Sequence, residues 1–149
     1  MRRPFLPGSG AVLAVVDTGP LYAAADADDD DHATCAAALR SKDYRLVIPA
    51  LVVAEATYLI GSRLGARAEV RFLESLAALD VAAPAASDWA RIAELADRYR
   101  NFPLGGVDAS VVALAERLGI DIVVTLDRRH FGAIRPKHCR AFRLLPEAP

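Results

Sequence analysis

Four acidic residues of this sequence stand where carboxylates often carry chemistry in α/β proteins, after short apolar runs or within the neighbouring helices. They are Asp17, Glu55, Asp108 and Asp127. Clustered carboxylates repel by roughly 1–4 kcal/mol per pair at 4 Å, so folding would not gather them without a counter-ion. Hard oxygen ligands suit Mg²⁺ or Mn²⁺, and such ions activate water for in-line phosphoryl displacement. If the four residues converge in space, they predict a metal site for phosphoryl displacement.

Glu55 gives the strongest individual signal. It is the only charged residue between Ile48 and Ser62, and its neighbours on both sides are apolar. Burying an unpaired carboxylate costs several kcal/mol, unless the group protonates. We therefore expect Glu55 to be buried beside a partner, which is either a basic side chain or a metal ion.

Each acidic residue also has a simpler explanation. Asp17 directly follows a predicted strand and Asp127 lies just beyond another, where aspartate commonly forms turns or caps. Asp108 falls in the first turn of a predicted helix, where the dipole favours an anion, and Glu55 could form a structural salt bridge. The joint pattern favours one site over four separate structural roles.

Short apolar runs alternate with helical patterns along the whole chain. We predict strands at Ala11–Val16, Arg45–Ile48, Leu79–Ala82 and Ile120–Thr125, with an edge strand at Ala141–Leu144. We predict a helix of about two turns from Gly19-Pro20, and further helices at Ala33–Arg40, from Pro49 to about Gly61, at Ala66–Leu76, from the cap Ser87 to about Arg100, and at Val107–Leu118 closed by Gly119. This alternation predicts an α/β fold with a central, mostly parallel sheet.

Composition limits the class of protein. With 149 residues, 54% of them apolar, the chain suits a single domain over residues 1–149, of which residues 1–10 form a loose leader. A net charge of −1 gives no overall attraction for nucleic acid. Cys35 and Cys139 belong to no C-x-x-C pair, which argues against zinc and suits a reduced, cytoplasmic protein. We expect no transmembrane segment.

The segment 128–143 is locally basic. It carries six lysines and arginines and no acidic residue, and His130 and His138 lie within it. A solvated surface would explain this charge. Alternatively the segment contacts an RNA backbone, since phosphate contacts come mainly from such groups. Because Arg128 and Arg129 directly follow Asp127, we interpret them as candidate RNA-binding residues.

Four stretches of the chain resemble the PIN-domain family, and specifically the VapC-type toxins of type II toxin–antitoxin systems. They are AVVDTGPLYA (residues 14–23), PALVVAEATYLI (49–60), GGVDASVVALAERLG (105–119) and VVTLDRRHF (123–131). They follow the family's order and spacing and span nearly the whole chain. The resemblance implies an α/β/α sandwich and a Mg²⁺- or Mn²⁺-dependent endoribonuclease.

The resemblance also assigns roles to residues. Asp17, Glu55, Asp108 and Asp127 match the family's catalytic and metal-binding quartet, with Asp17 and Asp108 as principal ligands. Thr125 matches a supporting hydroxyl position. The chain departs from many relatives at Gly19, where they carry a small hydroxyl residue. The family further implies a VapB-type antitoxin, an RNA substrate and a homodimer.

Other functions compete with this interpretation. A non-toxin PIN nuclease of RNA processing would carry the same quartet. A phosphotransferase or receiver-type signalling domain also uses strand-end aspartates with Mg²⁺, but Gly19 occupies the place of the second phosphatase aspartate, and neither Lys42 nor Lys137 suits a receiver. A non-catalytic homologue that sequesters antitoxin would not need the intact quartet.

Overall fold

The computed structural model describes residues 11–148, so the predicted leader at residues 1–10 lies outside the described residues. The strands are β1 (Val12–Val16), β2 (Tyr44–Pro49), β3 (Asp80–Ala82), β4 (Ile122–Val124) and β5 (Arg143–Leu145). The helices are α1 (Thr18–Ala25), α2 (His32–Arg40), α3 (Ala50–Leu64), α4 (Ala66–Ser75), α5 (Ala86–Arg98), α6 (Gly106–Leu118) and α7 (Arg128–Ala133).

The five strands form one sheet in the order β3-β2-β1-β4-β5, and every pairing in it is parallel. At the centre of the sheet, Val15 of β1 pairs with Val47 of β2 on one side and with Val123 of β4 on the other. Because neighbouring parallel strands end at the same edge, residues that follow β1 and β4 come together. The predicted α/β architecture with a central parallel sheet is confirmed.

The buried core explains why these strands form. Ala14, Val15 and Val16 of β1 are fully inaccessible to solvent, and β4 consists of buried Ile122, Val123 and Val124. β-branched residues without a polar neighbour favour a strand covered on both faces. Helix α6 is buried continuously from Ala109 to Ala115, so it lies in the interior and fixes the position of its first turn.

Most predicted elements are present, with boundaries shifted by a few residues. Gly119 ends α6 in a left-handed conformation, with φ of 68°, as expected. Ser87 does not cap α5, because the helix begins at Ala86 and the Asp88 carboxylate accepts the hydrogen bond from the Ala85 N–H instead. Helix α7 was not predicted. None of the helices between residues 11 and 148 has the length and apolar character needed to cross a membrane.

Candidate active site

Asp17 and Asp127 lie at the carboxyl edge of the sheet because they follow the neighbouring strands β1 and β4. The Asp17 N–H donates to the carbonyl of Val124 at 2.9 Å, which continues the pairing of the two strands to their ends. Asp17 is only 6% exposed although it is charged. A buried carboxylate in this position requires polar partners.

Thr125 supplies one of these partners and connects the two aspartates. The Thr125 hydroxyl donates to Asp17 Oδ2 at 2.8 Å. The oxygen of that hydroxyl, Thr125 Oγ1, accepts a hydrogen bond from the backbone N–H of Asp127 at 2.9 Å. Thr125 is 1% exposed, so water does not compete for these bonds. The supporting residue predicted beside the last acid therefore fixes the first acid as well.

Asp127 also caps a helix. One of its carboxylate oxygens, Oδ1, accepts the His130 N–H at 3.0 Å, and the other contacts His130 Nδ1. The turn or cap explanation of Asp127 is thus correct in part, because the same carboxylate caps α7 and faces the acidic cleft described below. His130 therefore fixes the orientation of the Asp127 carboxylate.

Asp108 enters the site from the first turn of α6. Within residues 11–148 its carboxylate accepts no hydrogen bond, and the helix has no side-chain cap, so capping does not account for it. Burial first, and then the negative charges of Asp17 and Asp127, raise the pKa of Asp108 to about 6, while His130 opposes the rise. Asp108 is therefore held among like charges.

Glu55 does not have the environment that the sequence predicts. It is exposed on α3, whose buried face is formed by Val52, Ala56 and Ile60. The other apolar side chains of this part of α3 are partly or largely exposed, among them Tyr58 at 73%. The expectation of a buried carboxylate was wrong, but Glu55 still lines the same cleft as the three aspartates.

All four acidic residues line one open cleft of about 500 Å³, referred to below as the acidic cleft. Across the part of the chain that the structure describes, no lysine or arginine lies within 4.0 Å of their carboxylates. The salt-bridge explanation of Glu55 is therefore not supported.

The pKa of Asp17 reflects its position in this cleft. Burial raises the pKa of Asp17, while hydrogen bonds from the Thr18 N–H and the Thr125 hydroxyl lower it in part.

These residues fit a divalent cation. Thr18 lines the acidic cleft, is 5% exposed, and its buried hydroxyl oxygen has no hydrogen-bond partner. Ligand atoms of Asp108, Asp127 and His130 lie within 4.8 Å of one another, close enough to hold one ion. Carboxylates without a lysine or arginine partner and an unused buried hydroxyl are a donor set that suits a hard cation.

Sequence reasoning missed His130. It was assigned only to the basic segment, although its position three residues after Asp127 is the spacing of a helix cap and its N3 residue. Arg128 and Arg129 are exposed on α7 and do not line the acidic cleft. Arg128 donates to the carbonyl of Pro146, and the Arg129 guanidinium lies 5.1 Å from the centre of the Phe102 ring.

The space around position 19 does not require a glycine. A Cβ added there would meet the side chain of Leu126 at 3.5 Å, which is an ordinary contact. The small hydroxyl residue of many relatives would fit, so the departure at Gly19 leaves the cleft open and removes no acidic ligand.

The PIN-domain family model matches residues 14–135, a range that contains all four acidic residues and Thr125. This chain belongs to the PIN-domain family. In the PIN sheet described here the first strand lies between the second and the fourth, whereas in receiver domains it lies between the second and the third. The receiver-type alternative is therefore set aside.

Among curated PIN relatives, the chain is similar to Ribonuclease VapC26 of Mycobacterium tuberculosis. The two are 37% identical over 134 residues, which cover 89% of this chain and 99% of the relative. The chain is accordingly a homologue of a VapC ribonuclease.

Solved structures show the same fold. Mycobacterium tuberculosis VapC20, described as a toxin that cleaves the sarcin–ricin loop, matches with a TM-score of 0.76 and 25% identity, covering 85% of this chain and 98% of that one. The VapBC2 structure from Rickettsia felis matches with a TM-score of 0.66 and 17% identity, covering 89% of this chain and 98% of that one.

Proposed function

We propose that this protein is a Mg²⁺- or Mn²⁺-dependent endoribonuclease that acts as the toxin of a VapBC-type toxin–antitoxin system. The observation that carries the proposal is the convergence of Asp17, Asp108 and Asp127 in one cleft, where no lysine or arginine among the described residues pairs with them. Kinship with VapC26 gives the type of reaction and its biological setting.

Asp17 and Asp108 would be the principal metal ligands, with Asp127 and Glu55 completing the set. A divalent ion held by these residues would lower the pKa of a bound water molecule and polarise a phosphodiester oxygen. Thr125 orients Asp17, and His130 orients Asp127. With a pKa of about 6, Asp108 holds a proton in mildly acid solution and is ionised at neutral pH.

A cleavage assay tests this function. The purified chain, free of any antitoxin, is incubated with total cellular RNA and with a sarcin–ricin loop hairpin, which is chosen because VapC20 is described as cleaving that loop. We expect cleavage with Mg²⁺ or Mn²⁺, no cleavage with EDTA, and loss of activity in Asp17→Asn and Asp108→Asn. Cleavage that persists in EDTA would refute the metal-dependent mechanism.

A growth assay separates a toxin from a nuclease of RNA processing. Expression without antitoxin should arrest bacterial growth, and Asp17→Asn or Asp108→Asn should relieve the arrest at equal protein levels. Active cleavage in vitro together with normal growth would favour the processing nuclease. Arrest by both variants would exclude the acidic site as its cause.

The proposal includes two protein partners, a VapB-type antitoxin and a second copy of this chain. Large apolar side chains exposed on neighbouring helices support such contacts, with Tyr58 73%, Val70 52% and Leu73 45% exposed. Exposed apolar groups that cluster commonly mark interfaces. We expect a dimer in light scattering of the purified chain, and Tyr58→Lys combined with Leu73→Lys should yield a monomer if this surface is the interface.

A further inference from the structure

Arg63 differs in charge from the rest of the acidic cleft. Glu55, Leu59 and Arg63 follow one another at intervals of four residues on α3, so they lie in one row along the helix, and all three line the cleft. Among the described residues that line the cleft, Arg63 is the only basic one. The cleft therefore has an acidic region and a single positive group along α3.

Tyr22 orients this arginine. The Arg63 guanidinium carbon lies 5.2 Å from the centre of the Tyr22 ring, which is a cation–π contact. The Tyr22 hydroxyl donates to Asp26 Oδ2 at 3.0 Å, so the ring is itself held in place. Arg63 is exposed, and within residues 11–148 no carboxylate lies within 4.0 Å of it. The Arg63 side chain also bonds to the Tyr22 hydroxyl, and its other guanidinium donors are available to a ligand.

We propose that Arg63 binds a backbone phosphate of the RNA strand that is cut at the acidic cleft, and that Tyr22 positions it. This inference rests on the proposed function. A guanidinium binds phosphate through two parallel hydrogen bonds. Along the helix axis Arg63 lies about 12 Å from Glu55, at about 1.5 Å per residue. In a strand with stacked bases, consecutive phosphates advance by about 3.4 Å along the helix axis, so a phosphate within about four nucleotides of the cut lies in reach of Arg63.

The charge distribution favours this assignment over a structural role. A divalent ion at the aspartates neutralises only its own surroundings, because exposed charges are screened beyond about 10 Å at 0.1 M salt. A polyanion that continues along α3 needs another cation there. Arg128 and Arg129 do not line the cleft, and they contact Pro146 and Phe102 instead.

Salt-dependent RNA binding tests the assignment. Asp108→Asn serves as the parent to prevent cleavage, and a short fluorescein-labelled single-stranded RNA is followed by fluorescence anisotropy at several salt concentrations. Adding Arg63→Gln should weaken binding by about tenfold or more, as expected for a charge-assisted hydrogen bond. The slope of log K against log salt should become shallower by about 0.7, the change expected for one phosphate contact.

Arg98→Gln is the matched control, because Arg98 is also exposed and its guanidinium also lies over a tyrosine ring, 5.8 Å from the centre of Tyr99, but outside the cleft. It should change neither affinity nor slope. Arg63→Lys keeps the charge without the planar fork, so it should retain the slope and lose part of the affinity. Melting curves establish that each variant is folded.

Two results would count against different claims. If the parent binds RNA and Arg63→Gln keeps both its affinity and its slope, the phosphate-binding assignment is refuted. Arg63 would then serve to bind a protein partner or only to contact Tyr22. If the wild type with Mn²⁺ neither binds nor cleaves RNA, the ribonuclease proposal itself fails.

Discussion

Replacing Asp108 by Asn should stabilise the metal-free protein at neutral pH. The pKa of Asp108 is raised from 3.8 to about 6, first by burial and then by the charges of Asp17 and Asp127. Below pH 3.8 the carboxyl is protonated in both the folded and the unfolded chain and contributes nothing. Between the two values only the unfolded chain releases the proton, so the free energy of unfolding falls as pH rises and stays lowered above about pH 6.

The size of the effect follows from the pKa. A tenfold change in proton affinity is worth about 1.4 kcal/mol, so the full rise corresponds to about 3 kcal/mol. Because the Asp108 side chain is partly exposed, solvent screening reduces this to about 1–2 kcal/mol. For a domain of this size, that is a rise of about 2–8 °C in melting temperature for Asp108→Asn. The substitution breaks no described hydrogen bond.

Melting curves in EDTA from pH 4 to pH 8 measure this effect directly. The difference in melting temperature between Asp108→Asn and wild type should be near zero at pH 4, grow through pH 6 and then level off. With Mn²⁺ the order should reverse, because ligand binding to the folded state stabilises wild type by about 2.7 kcal/mol at a hundredfold excess over Kd. The variant lacks a principal ligand and should gain much less.

The outcome that refutes the reasoning is specific. If Asp108 has a capping or pairing role, Asp108→Asn is less stable than wild type in EDTA at neutral pH, and the difference does not grow between pH 4 and pH 6. If wild type shows no shift with saturating Mg²⁺ or Mn²⁺, the convergent carboxylates do not form a metal site.

Three further predictions concern single interactions. Thr125→Val removes the hydroxyl that Asp17 and the Asp127 N–H share, so urea unfolding should lose about 1–3 kcal/mol, whereas Thr125→Ser should retain most of it. Glu55→Gln, at an exposed position, should change the unfolding free energy by less than about 0.5 kcal/mol but lower the cleavage rate; a large loss of stability would contradict the exposed position. Arg128 and Arg129 are exposed but lie outside the acidic cleft, so replacing both by Ala should weaken RNA binding through phosphates beyond the cleft without altering the metal-dependent rise in melting temperature. Unchanged RNA affinity would assign both arginines to local structure.

The positions of Asp17 and Asp127 could be predicted because they depend on local patterns. Both follow apolar β-branched runs, and parallel strands that are neighbours end at the same edge. That β1 and β4 are neighbours cannot be read from either run alone. The sheet order β3-β2-β1-β4-β5 supplies it.

The environment of Glu55 could not be predicted from its neighbours. Apolar residues surround it in sequence, but on a helix only those spaced by three or four residues share its face. The face that contacts the core carries Val52, Ala56 and Ile60, while the other apolar side chains remain partly exposed. An apolar sequence thus does not show whether a given side chain packs against the core or remains exposed for a partner to cover.

The two halves of the acidic site are positioned in different ways. Hydrogen bonds hold Asp17 and Asp127, since Thr125 bonds to both and His130 bonds to the carboxylate of Asp127. Packing holds Asp108, because the residues that follow it on α6, from Ala109 to Ala115, are buried continuously. Hydrogen bonds offset part of the burial cost for Asp17, whereas Asp108 has no such compensation and its pKa rises to about 6. The uncompensated cost of burying a carboxylate beside other carboxylates therefore falls mainly on Asp108, and an ion bound there would offset much of it.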